Sequence, residues 1–443
     1  MTKSVNLLKL TPQEFISFLK KENIGRFYFI YDAKNKIVRS SHRQLKPIAE
    51  FIQSDKRDFM MHEGIFLQVT RKYDTLQGAF IHRTCRGQAA GGVRYWSYNT
   101  VEDYLRDGLR LAVGMTMKNA LAGLWWGGGK AVMAVNPGVD KNNQLTRSSI
   151  YQEFGELMSS LRGCYVTAED VGTDVTDMAN VFMRTRFITC IPARLGGSGN
   201  PSVPTARGVI SGMEAALDFI GDGTLEGKTI AVQGMGHVAG PLIQYLFEKN
   251  VRKIIACDIN THTVKEVQEN FAGKNLEASV VSLDDKSIFQ TECDIFSPCA
   301  TGAILNPHTI PLIKAKIVCG AANNQLEDSE RDDKLLYERG IAYVPDFLTN
   351  RMGIVNCANE QYGFVNGDSF IEQHLAINWE FSIYRIAKKV LQESRLTKTP
   401  PAKVAIRLAD ELSLQVHPIF GHRGQQIIDS LVADRWHTKT SIE

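Results

Sequence analysis

The stretch LWWGGGKAV, residues 124–132, places a lysine directly after three glycines. A phosphate-binding P-loop has the pattern GxxxxGK followed by Ser or Thr, whose hydroxyl binds Mg²⁺. Ala131 follows the lysine here, so the pattern does not indicate a phosphate loop. Apolar, glycine-rich surroundings remove water from a lysine, which disfavours its charged form and lowers its pKa. Lys130 is therefore a candidate catalytic amine, presented on what we predict to be a close-packed glycine turn.

Lys118 and Asp170 are the other charged residues whose surroundings suggest chemistry. Lys118 lies in MTMKNA and Asp170 in TAEDVGT. Most single lysines and aspartates are surface charges. Together, the three residues would provide a cation for a carboxylate, an amine of lowered pKa and a carboxylate that exchanges protons. We interpret them as a candidate acid/base site.

A second motif, TIAVQGMGHVA at residues 229–239, has the form of a dinucleotide-binding loop. Gly234, Gly236 and Ala239 match G-x-G-x-x-G/A. The first glycine permits a tight turn, the second lets the backbone approach a pyrophosphate, and the small third residue lets helix and strand pack closely. The phosphates would bind at the helix N-terminus, and we interpret His237 as a helix-start residue beside them.

Asp258 ends the next predicted strand, KIIACD, where a ribose-binding carboxylate belongs. Its charge would repel the 2′-phosphate of NADP, so the predicted cofactor is NAD. The alternative is a glycine turn that binds nothing.

The elements that must position these residues fall into two parts. The chain of 443 residues is too long for one hydrophobic core. The first part mixes strands and helices, with a helix over residues 101–123. After a Gly/Ser/Asn/Pro-rich hinge at 195–204, strands alternate with helices, which predicts a parallel, doubly wound α/β sheet. From about residue 353 the pattern is helical. At the start of the chain, residues 1–55 are predicted to form an accessory segment. Thr11 caps a helix in it, and two strands follow that helix.

Composition narrows the partners. Hydrophobic residues make up 44% of the chain and charged residues 22%, and the net charge is +3 without a long single-sign run. We therefore expect neither nucleic-acid nor membrane binding. The eight cysteines are dispersed without a CxxC pair, which favours buried thiols in a reducing cytosol over a zinc site. The N-terminus lacks the apolar core of a signal peptide, so we expect a cytoplasmic protein. We expect no bound metal, because the sequence shows no cluster of Cys and His ligands.

Several long blocks in a fixed order resemble the glutamate/leucine/phenylalanine/valine dehydrogenase family, and within it the leucine branch most. They are AAGGVRYW (89–96), RLAVGMTMKNALAGLWWGGGKAV (110–132), TAEDVGTDVTDMANV (167–181), SGNPS (198–202), VQGMGHVA (232–239), CDIFSPCATGAILN (293–306), GAANNQL (320–326) and GIVNCANE (353–360).

The resemblance implies two α/β domains. A mixed α/β substrate and oligomerisation domain would span 56–190 and a Rossmann-type NAD domain 191–352, with helices of 353–443 returning to the first domain. It also implies a homo-oligomer that converts an L-amino acid to a 2-oxo acid and ammonia with NAD.

By motif, Lys118 would bind the substrate carboxylate, Lys130 would act as the catalytic amine, and Asp170 would exchange protons with the substrate nitrogen. The other expected substrate-binding residues are Ala90, Gly91, Gly92, Met115, Ala168, Asn323, Ile354 and Cys357. The expected cofactor-binding residues are Thr205, Gly234, Gly236, His237, Val238, Ala239, Asp258, Ile259, Cys299, Ala300 and Asn323.

Ala90 bears on the choice of substrate. Glutamate-specific members of the family carry a lysine at this position, which would pair with the substrate's side-chain carboxylate. An acidic side chain in an apolar pocket without that partner is disfavoured. Ala90, Ala168, Ile354 and Cys357 predict an apolar wall and favour branched aliphatic substrates over aromatic ones. Arg351 and Met352 stand where the family usually has small residues, which bears on the shape of this pocket.

Two other functions remain open at this point. A hydroxy acid dehydrogenase would need a histidine with a carboxylate partner, for which His62 and His82 are available without a matching block. A catalytically idle relative would have lost one of the two lysines or the aspartate, and all three are present.

Overall fold

Two sheets organise the chain, of which the computed structural model describes residues 6–363 and 369–439. The first sheet is mixed and has the order β2-β1-β3-β4-β7-β5-β8, with β6 also paired to β7. Its strands are β1 (Arg26–Asp32), β2 (Ile37–Ser40), β3 (Gly64–Val69), β4 (Leu76–Arg83), β5 (Ala89–Ala90), β6 (Val93–Trp96), β7 (Gly127–Ala134) and β8 (Tyr165–Val166). The N-terminal segment thus adds two strands to one edge of this sheet.

The second sheet is parallel and contains six strands in the order β11-β10-β9-β12-β13-β14. They are β9 (Thr229–Gln233), β10 (Lys253–Asp258), β11 (Leu276–Val280), β12 (Ile295–Pro298), β13 (Ile317–Val318) and β14 (Ala342–Tyr343). Counted from β9 this is the 3-2-1-4-5-6 order of a Rossmann domain, whose ligands bind where the strand order reverses. That point lies between β9 and β12, beside the predicted dinucleotide loop, and the predicted doubly wound sheet is confirmed.

Fifteen α-helices accompany the sheets in the described part of the chain, and none of them is long and apolar enough to cross a membrane. The predicted capping box is present at the first, where Thr11 and Glu14 bond reciprocally. The helices are α1 (Pro12–Lys21), α2 (Lys46–Ser54), α3 (Val101–Leu121), α4 (Gln144–Ser160), α5 (Val175–Phe182), α6 (Ser202–Ile220), α7 (Ala239–Glu248), α8 (Thr261–Asn270), α9 (Arg331–Glu338), α10 (Asp346–Thr349), α11 (Met352–Tyr362), α12 (Phe370–Leu375), α13 (Ile383–Thr397), α14 (Pro401–Ser413) and α15 (Arg423–Ala433).

The C-terminal helices connect both domains. Helix α13 packs on α6 of the second domain, and α14 packs on α3 of the first. Beyond α15, the ring of Trp436 lies 5.2 Å from that of Phe66 on β3. The predicted return of the chain to the first domain is therefore confirmed.

The glycine stretch before Lys130 is not a turn, and this prediction was wrong. Gly127, Gly128 and Gly129 begin the buried strand β7. A Cβ on Gly128 would lie 2.0 Å from Oγ1 of Thr116 on α3, and a Cβ on Gly127 would lie 2.0 Å from the carbonyl oxygen of Arg83 on β4. The glycines therefore let a helix and a neighbouring strand approach the backbone of β7 directly.

Candidate active site

A cleft of about 960 Å³ lies between the two domains. One wall comes from α3, β7 and the loop after β8, and the other from α6, α10, α11 and the loop after β13. The predicted site residues that line it are Gly92, Met115, Lys118, Lys130, Ala168, Asp170, Thr205, Val238, Asn323, Ile354 and Cys357. Residues from distant parts of the sequence thus converge on one space.

Lys130 and Asp170 form an ion pair in the first-domain wall. Nζ of Lys130 lies 2.9 Å from Oδ2 of Asp170, and Lys130 is only 4% exposed. Burial lowers the pKa of Lys130, while the charge of Asp170 raises it and so limits the fall. Burial alone would raise the pKa of Asp170, but Lys130 and Arg94 outweigh it and lower that pKa to about 2.

Arg94 is a site residue that we did not predict, although it lies in the GGVRYW block. Its Nε is 3.5 Å from Oδ2 of Asp170, and its Nη1 donates to Asp107 of α3 at 3.1 Å. Tyr98 also donates to Asp107, at 2.7 Å. Arg94 on β6 therefore joins the pair formed with Lys130 to a second carboxylate, and its own position is set by that carboxylate.

Lys118 and Asn323 meet across the cleft. Nζ of Lys118 donates to Oδ1 of Asn323 at 2.8 Å, and the same oxygen accepts from Nδ2 of Asn350 at 2.8 Å. The pKa of Lys118 is lowered to about 8, because burial and the nearby charge of Lys130 lower it more than Asp346 and Asp170 raise it. An anion entering the cleft would find this ammonium group held between the domains.

Met115, Ala168, Ile354 and Cys357 contribute apolar side chains to the cleft lining, whereas Ala90, which we predicted in the same wall, does not line the cleft. Glu169, which we did not single out, lines the same cleft. Its Oε2 is buried without a hydrogen-bond partner among the described residues. Burial and the neighbouring carboxylates of Asp174, Asp170 and Asp177 raise the pKa of Glu169 to about 7.

Ala90, Gly91 and Gly92 differ in how they relate to the cleft. Ala90 is 1% exposed on β5, and neither it nor Gly91 reaches the cleft surface. A Cβ on Gly91 would lie 2.0 Å from the carbonyl oxygen of Gly129, and one on Gly92 would lie 2.5 Å from that of Glu169. The two glycines therefore permit close backbone packing that brings β7 and the Asp170 loop together.

The loop after β9 has the conformation that a dinucleotide requires. Gly234 has φ 88°, and a Cβ there would lie 2.6 Å from that of Ala300. A Cβ on Gly236 would meet nothing within 4 Å, so open space lies above this residue. Ala239 is buried where α7 begins. The tight turn, the open approach and the close packing fit a pyrophosphate.

Asp258 lies at the end of β10, next to this loop. Its carboxylate accepts hydrogen bonds from the backbone N–H of Met235 at 2.7 Å and of Asn260 at 2.8 Å. The exposed side chains of His237 and Ile259 flank the same edge, and Cys299 and Ala300 follow β12 on the other side. The predicted cofactor residues other than Thr205 and Asn323 thus lie near the carboxyl ends of β9, β10 and β12.

Three further residues considered from the sequence, Arg351, His62 and His82, do not line the cleft. Arg351 is fully buried and donates to the carbonyl oxygens of Leu121 and Phe381, so it links α3 to the C-terminal part rather than shaping the pocket. Burial lowers its pKa to about 9. His62 bonds to the carbonyl oxygen of Leu109 at 2.9 Å, and His82 bonds to Thr116 at 2.8 Å. Neither histidine lines the cleft.

One side-chain group in the described residues has the composition of a metal site. Glu63, Cys85 and His422 each offer a ligand atom, and these atoms lie within 4.8 Å of one another. The three residues are far apart in the sequence, so their spacing did not predict this group. Glu63 already accepts from the backbone N–H of Thr84 at 2.9 Å and lies 3.1 Å from His422 Nε2. The group lies outside the cleft lining.

Known proteins match both domains. Residues 67–187 match the family described as Glu/Leu/Phe/Val dehydrogenase, dimerisation domain, and residues 196–412 match Glutamate/Leucine/Phenylalanine/Valine dehydrogenase. The chain is 42% identical over 332 residues to the leucine dehydrogenase of Geobacillus stearothermophilus, which is 75% of this chain and 85% of that one. It is 39% identical over 284 residues to the phenylalanine dehydrogenase of Lysinibacillus sphaericus, covering 64% and 72% of the two chains.

Among solved structures, the L-tryptophan dehydrogenase of Nostoc punctiforme superposes with a TM-score of 0.64 at 31% identity, covering 80% of this chain and 96% of that one. The family resemblance carried by the sequence motifs is confirmed, together with the two-domain fold. The chain belongs to the glutamate/leucine/phenylalanine/valine dehydrogenase family and is an amino acid dehydrogenase.

Proposed function

We propose that this dehydrogenase catalyses the reversible, NAD-dependent oxidative deamination of an apolar L-amino acid, leucine or another branched-chain one, to the 2-oxo acid and ammonia. The observation that carries the proposal is the Lys130–Asp170 pair, 2.9 Å apart, in the wall of an interdomain cleft that Lys118 also lines. A buried amine, a carboxylate and a second cation are the groups that this reaction needs.

Each charged group has a distinct role in the proposed reaction. Lys118 holds the substrate α-carboxylate, and Asn323 positions the ammonium group that does so. Asp170, ionised at neutral pH, exchanges protons with the substrate nitrogen. Lys130 in its neutral form accepts a proton from the water that adds to the imine carbon, and its lowered pKa makes that form available. Because the pair is buried, these transfers take place away from bulk water.

The cofactor in this proposal is NAD, which accepts the hydride from the substrate Cα when it is bound. Gly234, Gly236 and Ala239 would hold its pyrophosphate at the start of α7, and Asp258 its adenosine ribose. The Asp258 carboxylate favours NAD over NADP because a 2′-phosphate would bring a second negative charge beside it. Thr205, Val238 and Asn323 line the same cleft as Lys130, which suits the nicotinamide end.

An apolar substrate side chain is supported by the wall of Met115, Ala168, Ile354 and Cys357. Glutamate is disfavoured for two reasons. Ala90 supplies no cation, and Glu169 adds a carboxyl group to the same cleft. A substrate carboxylate facing Glu169 would be repelled by the ionised form of Glu169 and would find no cation from Ala90 to pair with, which is costly in a pocket with little water.

An aromatic substrate is the second candidate. The small side chains of Ala168 and Cys357 leave width in the wall, and relatives that resemble this chain include phenylalanine and tryptophan dehydrogenases. Differences of one or two methylene groups change selectivity by only about 1–3 kcal/mol. Substrate preference therefore has to be measured as a series.

We also propose a homo-oligomer in a reducing, cytoplasmic setting. All eight cysteines are free thiols, as expected where glutathione and thioredoxin keep thiols reduced. Large apolar side chains are exposed near the C-terminus, among them Leu414, Val416, Ile419 and Phe420. A patch of this kind is typical of a protein interface.

The proposal is tested by a substrate series followed at 340 nm. Reduction of NAD is measured with L-leucine, L-isoleucine, L-valine, L-phenylalanine, L-tryptophan and L-glutamate. We expect the highest kcat/KM with a branched aliphatic substrate and almost none with glutamate. An aromatic optimum would support the second candidate, and NAD binding without turnover of any of these would overturn the proposed reaction.

A further inference from the structure

Two cysteines in the cleft lie in sulfur-to-sulfur contact. Sγ of Cys190 is 3.4 Å from Sγ of Cys357, and both residues are almost fully buried. Cys357 belongs to α11, whereas Cys190 lies at the start of residues 190–201, which lead from the first sheet to α6 and which we call the crossing segment. Both cysteines line the cleft. The two cysteines are far apart in the sequence, so it is the fold that brings their thiols together.

Glu360 holds the two sulfurs in this arrangement. It lies one helical turn after Cys357, and its carboxylate accepts from the backbone N–H groups of Cys190 at 3.0 Å, Ile191 at 3.3 Å and Ser198 at 2.8 Å. The hydroxyl of Ser198 donates to it as well, at 2.5 Å. Four hydrogen bonds from the crossing segment therefore end on one side chain of α11.

The backbone of Cys190 is also unusual. Its φ is +60°, in the left-handed region that side chains other than glycine rarely adopt. Strained backbone persists only where surrounding contacts impose it, and it concentrates at functional positions. The hydrogen bonds to Glu360 thus restrain the backbone that carries Cys190 where its sulfur contacts Cys357.

We propose that Cys190 and Cys357 are an oxidation site, at which a small hydroperoxide converts the two thiols into a disulfide that reversibly stops turnover. The disulfide rests on the distance between the two sulfurs, whereas the effect on turnover also rests on the proposed function. A disulfide has sulfurs about 2 Å apart, so the two atoms need to approach by little more than 1 Å.

The reaction balances with hydrogen peroxide as the two-electron oxidant. One thiol loses its proton, the thiolate attacks a peroxide oxygen, and the O–O bond breaks to give a sulfenic acid and hydroxide. The proton released by the thiol converts the hydroxide to water. The second sulfur then displaces the hydroxyl group, which leaves as a second water, and the S–S bond forms. The contact with Cys357 and burial raise the pKa of Cys190, so the reaction is slow at neutral pH and faster in more alkaline solution.

The disulfide would act on the apolar wall and on the domain connection together. Cys357 belongs to the same wall as Ile354, and a covalent bond to the crossing segment would tie that wall to the link between the domains. Amino acid binding and any movement of the cleft would both be restricted. Reduction by a dithiol would restore the original wall.

The test treats the reduced full-length protein with hydrogen peroxide and follows thiols and activity together. We expect two of the eight thiols to be lost, a peptide linked through Cys190 and Cys357 by mass spectrometry without reduction, and a parallel loss of turnover that dithiothreitol reverses. Absence of the linked peptide would overturn the oxidation site. Linkage with unchanged turnover would overturn the control of activity.

Variants separate this pair from the other thiols. Each is compared with its own untreated sample, so that a change in basal activity does not matter. Cys190→Ser and Cys357→Ser should resist inactivation by peroxide, whereas Cys293→Ser, in the second domain, should be inactivated like the parent chain. Equal inactivation of Cys190→Ser and the parent would contradict the proposal. Thiol counting and peptide mapping test the disulfide even if no amino acid is turned over. Failure of the proposed reaction can therefore be distinguished from failure of the oxidation site.

Discussion

Nζ of Lys130 lies 2.9 Å from Oδ2 of Asp170, and Nε of Arg94 lies 3.5 Å from the same oxygen. One partly buried carboxylate is therefore shared by two cations. Burial lowers the pKa of Lys130, Asp170 raises it and Arg94 lowers it again. The proton affinity of the amine thus depends on two neighbours that act in opposite directions, and this can be measured.

We expect opposite shifts in the pH profile of kcat when these neighbours are removed. The acidic limb of oxidative deamination reports Lys130 losing its proton. Asp170→Asn removes the charge that favours the ammonium form, so the limb of its residual activity should move to lower pH. Arg94→Gln removes a repelling cation, so its limb should move to higher pH.

Arg110→Gln is the matched control for this pair. Arg110 also pairs with Asp107, at 3.0 Å, and lines the cleft, but it is not among the main groups that shift the pKa of Lys130. Its profile should keep the parent's acidic limb. Shifts in the same direction for Asp170→Asn and Arg94→Gln would show that Lys130 is not the titrating group.

Lys118→Ala should weaken amino acid binding more than it slows turnover. A hydrogen bond to a charged group contributes about 1.5–3 kcal/mol, so KM for the amino acid should rise about 10–100-fold while KM for NAD stays within a few-fold. Steady-state kinetics with each substrate varied in turn measure this. The exposed helix residue Lys265 supplies a control through Lys265→Ala, and an unchanged amino acid KM in Lys118→Ala would exclude the carboxylate role.

Asp258→Asn should relax the preference for NAD. The amide keeps the size of the carboxylate and can still accept a bond from the loop, but it no longer repels a 2′-phosphate. We expect the ratio of kcat/KM for NADP to that for NAD to rise about tenfold, which corresponds to about 1.4 kcal/mol. If the parent already uses NADP as well as NAD, or the ratio is unchanged in the variant, Asp258 does not select the cofactor.

Gly128→Ala should destabilise the fold. The added Cβ would lie 2.0 Å from Oγ1 and 2.2 Å from the backbone nitrogen of Thr116, and overpacking of this kind costs about 1–3 kcal/mol or more. Gly114 lies in the same helix as Thr116, and a Cβ there would meet nothing within 4 Å. Gly114→Ala should therefore raise the free energy of unfolding by about 0.5–1 kcal/mol through helix propensity. Thermal unfolding compares the two, and equal Tm values would refute the packing role of Gly128.

The glycines of β7 illustrate why part of the fold escaped prediction. Three consecutive glycines have low strand propensity, so local preference indicates a turn. Their conformation is instead determined by how closely α3 and β4 approach β7, which is a tertiary property. The six strands of the second sheet were predictable because each is a short apolar run ending at polar or glycine residues. Their lateral order was not, since it depends on which strands pair.

In the candidate site, too, some residues could be predicted from the sequence and others could not. Lys118, Lys130 and Asp170 stand out because charged residues within apolar or glycine-rich blocks are uncommon. Arg94 and Glu169 lie in blocks already singled out, yet their relevance depends on contacts with Asp170 and on burial, neither of which is visible in the sequence.

Pairs from distant segments were harder still to predict. The contact between Cys190 and Cys357 depends on where the crossing segment lies against α11, and the bonds from that segment to Glu360 depend on it equally. The dispersed cysteine pattern favoured free thiols, but spacing alone holds no information about which thiols meet.

The initial rate of NAD reduction by L-leucine in Lys130→Ala, beside the parent chain, tests the central claim most directly. Loss of a positioned acid/base group typically costs 10²–10⁴-fold, so we expect kcat to fall by about that factor while the affinity for NAD, measured by fluorescence titration, is kept. A variant that turns over L-leucine at near the parent's rate would contradict the assignment of Lys130 as the catalytic amine.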